Sequence, residues 1–178
     1  NILKKLKIEK NRYFVLTAHR QENVDDISKL NSIIEILNNL VSIKKMPLIW
    51  PIHPRSKLRI KKIKVKLNKL IKLIPPIDFF EFSNLEKNCF CIITDSGTVQ
   101  EEASILKKPN LIIRDTTERP ETIESGSSIL IGSSNRNIKK QIQIAIDTKG
   151  LEEEVEGYLA QNVSNKIIKI LFSKYDFD

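Results

Sequence analysis

The residues with the most chemical potential sit in short polar segments, each directly after an apolar run. The sharpest is Thr94-Asp95-Ser96-Gly97-Thr98-Val99-Gln100-Glu101-Glu102. An apolar run ends, a Ser-Gly turn follows, and a helical pattern begins at once. Amide N–H groups at such a helix start lack intrahelical partners and lie at the positive end of the helix dipole, so they attract phosphate. Ser96 and Thr98 add hydroxyl donors, and Gly97, having no Cβ, allows close backbone approach. Glu102, one turn in, would repel a phosphate but accept hydrogen bonds from sugar hydroxyls. The plainer alternative makes Asp95 or Ser96 an ordinary N-cap. Neither a Walker lysine loop nor a GxGxxG fingerprint is present.

A second cluster is Arg114-Asp115-Thr116-Thr117-Glu118-Arg119-Pro120-Glu121. Two arginines at a strand end can grip a diphosphate or pair with neighbouring acids. Arg119, just before Pro120, stands at the start of a short helix, a good place for an anion contact. A third is His19-Arg20-Gln21-Glu22-Asn23. A lone histidine is often a satisfied surface residue, but His19 shares a rim with the Ser-Gly turn. His53, in Pro51-Ile52-His53-Pro54-Arg55, is the weaker candidate, because its neighbours describe a rigid loop.

The elements that must position these residues alternate. Short unbroken apolar runs predict strands over 13–16, 47–52, 70–74, 90–94, 110–113 and 128–131. Apolar residues recurring at Ile27, Leu30, Ile33, Ile34, Leu37 and Leu40 predict a helix over 26–40. Further helices are expected over 56–67, 79–87, 98–106, 120–124, 137–148 and 164–172, with an exposed acidic turn at 152–156. Strands that read as continuous hydrophobic runs between helices belong to a parallel sheet covered on both faces. The fold class is therefore α/β, a doubly wound Rossmann-like sheet, whose ligands bind beyond the carboxyl ends of the strands.

The chain has 178 residues, 40% of them hydrophobic and 29% charged, a composition normal for a globular chain and too apolar for a disordered one. No apolar run approaches the roughly 20 residues of a bilayer span. Cys89 and Cys91 alternate in one apolar run, point the same way if both lie in a strand, and are too close along the chain for an ordinary disulfide. With only two histidines elsewhere zinc is not expected, and a reduced, cytoplasmic setting follows. The net charge of +8 is mostly lysine, notably over 57–72, which reads as a helix leading into a strand with a solvated basic face. Nothing there supports a nucleic-acid partner.

Taken together and in this order, TAHRQEN at 17–23, PIHPR at 51–55, TDSGTVQEEA at 94–103 and RDTTERPETIESG at 114–126 resemble the non-hydrolysing UDP-N-acetylglucosamine 2-epimerase family. IDFFEF at 77–82 and QNVSNKIIKIL at 161–171 extend the likeness nearly to the end. It covers almost all of the chain but only the carboxyl-terminal half of the family's enzyme. The resemblance implies one Rossmann-like half of a GT-B-like two-domain protein, with residues 1–178 as the UDP-binding domain. The last helix, 162–172, then packs back toward the amino-terminal domain. It implies interconversion of UDP-N-acetylglucosamine and UDP-N-acetylmannosamine by elimination and re-addition of UDP, with no metal or other cofactor. It places His19 and Arg119 by the UDP phosphates and Ser96, Gly97 and Thr98 around the diphosphate. It puts Glu102 on the ribose, the Phe82 backbone on uracil, and His53 at a possible allosteric UDP-sugar site.

Thr98 stands where the family often has a second glycine, and the DSGT form leans toward relatives acting on 6-deoxy UDP-sugars or capsule precursors. The family's acid/base carboxylates lie on the other half. The chain alone is therefore expected to bind UDP weakly and not to epimerise, and the full-length enzyme to be a homodimer. The rival readings are a hydrolysing epimerase or GT-B glycosyltransferase half, and a non-catalytic nucleotide-sugar-binding domain.

Overall fold

The computed structural model describes residues 2–63, 65–132, 138–148 and 153–174. Its elements run α1 (Ile2–Leu6), β1 (Phe14–Thr17), α2 (Gln21–Val24), α3 (Ile27–Lys44), β2 (Leu48–Pro51), α4 (Pro54–Ile60) and β3 (Ile71–Ile74). They continue with α5 (Phe79–Asn88), β4 (Cys91–Thr94), α6 (Gly97–Ile105), β5 (Asn110–Ile112), α7 (Pro120–Glu124), β6 (Ser128–Leu130), α8 (Ile138–Asp147) and α9 (Val163–Lys174).

The strands are apolar throughout because both faces of the sheet are covered. Alternate residues serve opposite sides. Phe14, Leu16, Leu48, Trp50, Cys91 and Ile93 pack with Leu30, Ile33, Ile34 and Leu37 of α3 and Ile142 of α8. Tyr13, Val15, Ile49 and Ile92 pack on the other side with Ile2 and Leu3 of α1, Leu85 of α5, and Val99 and Ala103 of α6. All pairings are parallel, in the order β3-β2-β1-β4-β5-β6. That order reverses direction between β1 and β4, which opens a crevice at their carboxyl ends. Here the backbones run in register from Phe14 beside Cys91 to Thr17 beside Thr94.

Four expectations need correction. The helix expected over 56–67 ends at Ile60. Lys57 and Lys61, and Lys62 and Lys66, would repel at i,i+4 spacing, and Ile63 and Val65 are β-branched. Ile63, Val65 and Leu67 instead lie partly buried against the core in irregular chain. Second, Cys89 and Cys91 do not share a face. Cys89 follows α5 and packs beside Leu85, whereas Cys91 is in β4 and packs with Phe14 and Leu16. Third, two short helices, α1 and α2, form where no helix was expected. Fourth, the acidic turn carries a buried Val155 between exposed Glu154 and Glu156. Its Glu152, and Asn137 at the start of the expected 137–148 helix, lie outside the described residues.

Residues 163–173 of helix α9 are exposed, and Val163, Ile167, Ile168, Ile170, Leu171 and Phe172 among them present apolar surface to solvent.

Candidate functional site

The crevice between β1 and β4 is organised around one carboxylate. Asp95 is completely buried. Its Oδ2 accepts from the backbone N–H of His19 at 3.0 Å, that of Arg20 at 2.9 Å and Asn23 Nδ2 at 3.2 Å. Its Oδ1 lies 3.5 Å from His19 Nδ1. Asn23 also donates to the Ile113 carbonyl at 3.0 Å, tying the end of β5 to the same knot. The hydroxyls of Thr17 and Thr94, partners in register, meet at 2.6 Å, and Thr94 Oγ1 accepts the Ser96 N–H at 2.9 Å. The strand-end loops carrying His19 and Ser96 are thus fixed to each other.

Helix starts in this domain differ in a telling way. Asp26 caps α3 by accepting from the Ser28 and Lys29 amides, and Asp78 caps α5 by accepting from Glu81. At α6 the N-cap Ser96 makes no side-chain cap bond, and Asp95 is committed to the His19 loop. The ordinary-cap alternative for this turn does not hold, and the first-turn amides of a nine-residue helix are left open. A Cβ built on Gly97 would lie 3.9 Å from Arg119 Cζ, so the guanidinium sits over the glycine. Arg119 is oriented from several directions. Its Nε donates to Glu101 and its terminal nitrogen donates to the Glu118 carbonyl at 3.0 Å. Its amide donates to Thr117 Oγ1 at 3.1 Å. Thr117 in turn donates to Gln100 Oε1 at 2.6 Å, and Gln100 Nε2 donates to the Ser96 carbonyl at 3.2 Å.

The two arginines of this segment have separate fates. Arg114 is buried and donates to Glu22 at 3.0 Å and to both oxygens of Glu118 at 2.5 and 2.9 Å. It belongs to the fold's ion pairing and not to an open anion grip. Its hydrogen bonds, with help from Arg20, pull the Glu118 carboxyl down to about 2.

Beside this turn lies an open cavity of about 410 Å³ walled by Thr17, His19, Pro51, His53, Ile77 and Phe82 among others. That volume falls in the range of small-molecule pockets. The structure therefore brings His19, His53 and Phe82 together. Ser96, Gly97, Thr98, Glu102 and Arg119 are not in its wall: Ser96, Gly97 and Thr98 form the turn that leads from β4 into α6, Glu102 lies further along α6, and Arg119, before α7, leans over Gly97. Glu102 is half-buried on α6, and its carboxyl is pushed up mainly by burial, with Glu101 adding to the effect.

Opposite Glu102 stands a residue that sequence reasoning passed over. Glu86 of α5 is wholly buried, and its carboxyl is raised to about 8, first by burial and then by Glu102. It sits four residues after Phe82 and three before Cys89, on the apolar side of α5. A carboxyl at a core position was the signal available for it. Asp95 and Arg114 showed no such signal, because the partners of Asp95 are 72 to 76 residues away and Glu22, which Arg114 meets, is 92 residues away.

Among the described residues, no helix is long and apolar enough to cross a membrane, and no group of three or more His, Cys, Asp or Glu side chains could hold a metal ion.

Residues 1–172 match the family described as UDP-N-acetylglucosamine 2-epimerase. The chain is 47% identical over 141 residues to a UDP-N-acetylglucosamine 2-epimerase of Methanocaldococcus jannaschii, covering 77% of this chain and 38% of that protein. It is 31% identical to a UDP-2,3-diacetamido-2,3-dideoxy-D-glucuronate 2-epimerase of Pseudomonas aeruginosa, over 89% of this chain and 44% of that one. The crystal structure of the Methanocaldococcus jannaschii UDP-GlcNAc 2-epimerase in complex with UDP-GlcNAc and UDP superposes with a TM-score of 0.85 at 40% identity, covering 97% of this chain and 48% of that one. The chain spans less than half the length of these relatives, and its sheet is one Rossmann-like half of a GT-B-like architecture. With the family matched along nearly its whole length, this chain belongs to the UDP-N-acetylglucosamine 2-epimerase family.

Proposed function

We propose that this chain is the uridine-nucleotide-binding half of a non-hydrolysing UDP-N-acetylglucosamine 2-epimerase. The observation that carries the reading is the uncapped first turn of α6 with the Arg119 guanidinium over Gly97. Breaking the bond between the anomeric carbon and UDP places charge on a departing diphosphate. Amides fixed in advance and an arginine held in place stabilise that charge without reorganising. In this reading the Ser96, Gly97 and Thr98 segment cradles the diphosphate, Arg119 neutralises it, and His19 approaches from the β1 side. The uracil enters the cavity at Phe82, meeting its backbone, and the ribose hydroxyls meet Glu102. Family likeness supports each assignment, as does the position of each group around one crevice. In the same reading His53, which lines this cavity, touches a second UDP-sugar that regulates turnover; the support is family likeness.

The acid/base carboxylates that invert C2 belong to the amino-terminal half of the enzyme. The exposed apolar stripe of α9 packs against that half, and the complete protein works as a dimer. The chain alone binds UDP and does not turn over. A second reading keeps the site and changes the sugar, since the Pseudomonas aeruginosa relative is named for a diacetamido uronate. The test is calorimetry of the chain with UDP, followed by product analysis of the complete enzyme. Saturable binding and a UDP-linked 2-epimer are expected. No heat with millimolar UDP overturns the reading, and release of free N-acetylmannosamine with UDP replaces it with a hydrolysing enzyme.

A further inference from the structure

Glu86 needs an explanation that packing does not give. It is wholly buried, and neither carboxyl oxygen is hydrogen-bonded to a donor. An ionised carboxylate left without a partner in such a place is strongly disfavoured. A neutral carboxylic acid, by contrast, carries one O–H to donate. Its i,i+4 spacing from Phe82 puts it on the helix face that leads to the cavity wall. The polar group it faces is the carboxyl of Glu102, from the neighbouring helix α6.

The geometry points to Glu86 as a positioning residue: a protonated acid that donates its hydrogen to one oxygen of Glu102, leaving the other Glu102 oxygen to receive the ribose diol of a uridine nucleotide. This deepens the reading given above and rests on it for the role of Glu102. Two facing carboxyls holding one proton are a stable arrangement, because the pair then bears a single charge. The hydrogen bond from Glu86 favours the ionised form of Glu102, offsetting the burial that opposes it. The surrounding titratable groups do not supply a substitute donor. Glu101, also on α6, is engaged by Arg119. Tyr13, on the strand side, gives its hydroxyl hydrogen to the Leu85 carbonyl at 2.7 Å, and the Cys89 thiol donates to the Glu86 carbonyl.

When base removes the Glu86 proton, its O–H bond breaks and the hydrogen leaves as water. Glu102 then faces a second negative charge and loses its orienting donor. Burial and Glu102 together place that ionisation at about 8. The ribose contact is therefore the part of recognition that titrates with Glu86.

The experiment compares UDP with 2′-deoxy-UDP by calorimetry on the 178-residue chain between pH 6.5 and 9 (values on the order of the Glu86 titration). Phosphate and uracil titrate alike in the two ligands, so the affinity ratio isolates the ribose hydroxyl. A ratio of about tenfold is expected near neutrality, the size of a hydrogen bond to a charged acceptor. It should fall several-fold through about pH 8 in the wild type. In Glu86→Gln, whose amide donates without titrating, it should remain high and flat. Infrared spectroscopy of the wild type in D₂O supplies a readout independent of any variant: a protonated-carboxyl band at neutral pH that vanishes as pH rises through the same range. A ratio above one that is flat in the wild type, or absence of that band, overturns the assignment of Glu86. UDP binding with a ratio of one at every pH overturns the ribose role of Glu102, and no UDP binding overturns the nucleotide-site reading itself.

Discussion

Replacing Asp95 by asparagine removes one charge from the centre of the crevice and turns Oδ1, which accepts the His19 amide at 3.2 Å, into an amide nitrogen. Asn can still present an oxygen where Oδ2 now receives the His19 and Arg20 amides and Asn23 Nδ2. Each bond then falls from charge-assisted to neutral, a difference of about 1 kcal/mol per bond. The three bonds share one acceptor, so their losses are not additive, and a total of about 2–3 kcal/mol follows. For a chain of this size that is roughly 5–10 °C in the unfolding midpoint. Asp95→Ala leaves the three donors unsatisfied beside a buried void, and about 4–5 kcal/mol is expected. Urea unfolding at pH 7, with the slope of the transition held constant, measures both. The reasoning also requires UDP affinity to fall in the Asn variant, because the loop carrying His19 loosens while Arg119 stays in place. An Asn variant within about 0.5 kcal/mol of wild type would show that Asp95 is merely tolerated in the core and does not hold the crevice.

Arg119→Ala should weaken UDP binding by about 1.5–3 kcal/mol in calorimetry while shifting stability little, since its side chain is partly exposed; unchanged affinity would remove it from the site. The Glu118 carboxyl is depressed in the folded protein by Arg114, so its stabilising contribution is complete above the ordinary carboxylate range near 4.5 and is lost as pH falls toward about 2. Wild type should therefore lose more stability than Glu118→Gln between pH 5 and pH 2.5, or roughly across that titration, in urea melts; equal losses would show that the Arg114 pairing does not stabilise the fold.

Much of the architecture was legible because its cause is local. Runs such as Cys91-Ile92-Ile93 are apolar on every residue, which only a doubly covered strand requires, and the Ser96-Gly97 turn shows its meaning in its own residue types. Over 56–67 the apolar spacing is compatible with a helix while the lysines are not, and the helix stops at Ile60. Arg114 and Arg119 look alike in the sequence. Only the fold shows that one meets Glu22 across 92 positions and the other leans over Gly97. Asp95 looked like a cap because its neighbours favour capping, and its real partners lie 72 to 76 residues upstream.

The bare surface of α9 has a colloidal consequence. Val163, Ile167, Ile170 and Leu171 fall on one stripe by their i, i+4, i+7, i+8 spacing, and each is at least two-fifths exposed. Two such stripes laid against each other would shield one another from water, so a solution of this chain should thicken into dimers and larger clusters as it is concentrated, and a mild detergent should disperse them. Handling the domain therefore depends on a helix whose apolar stripe faces water.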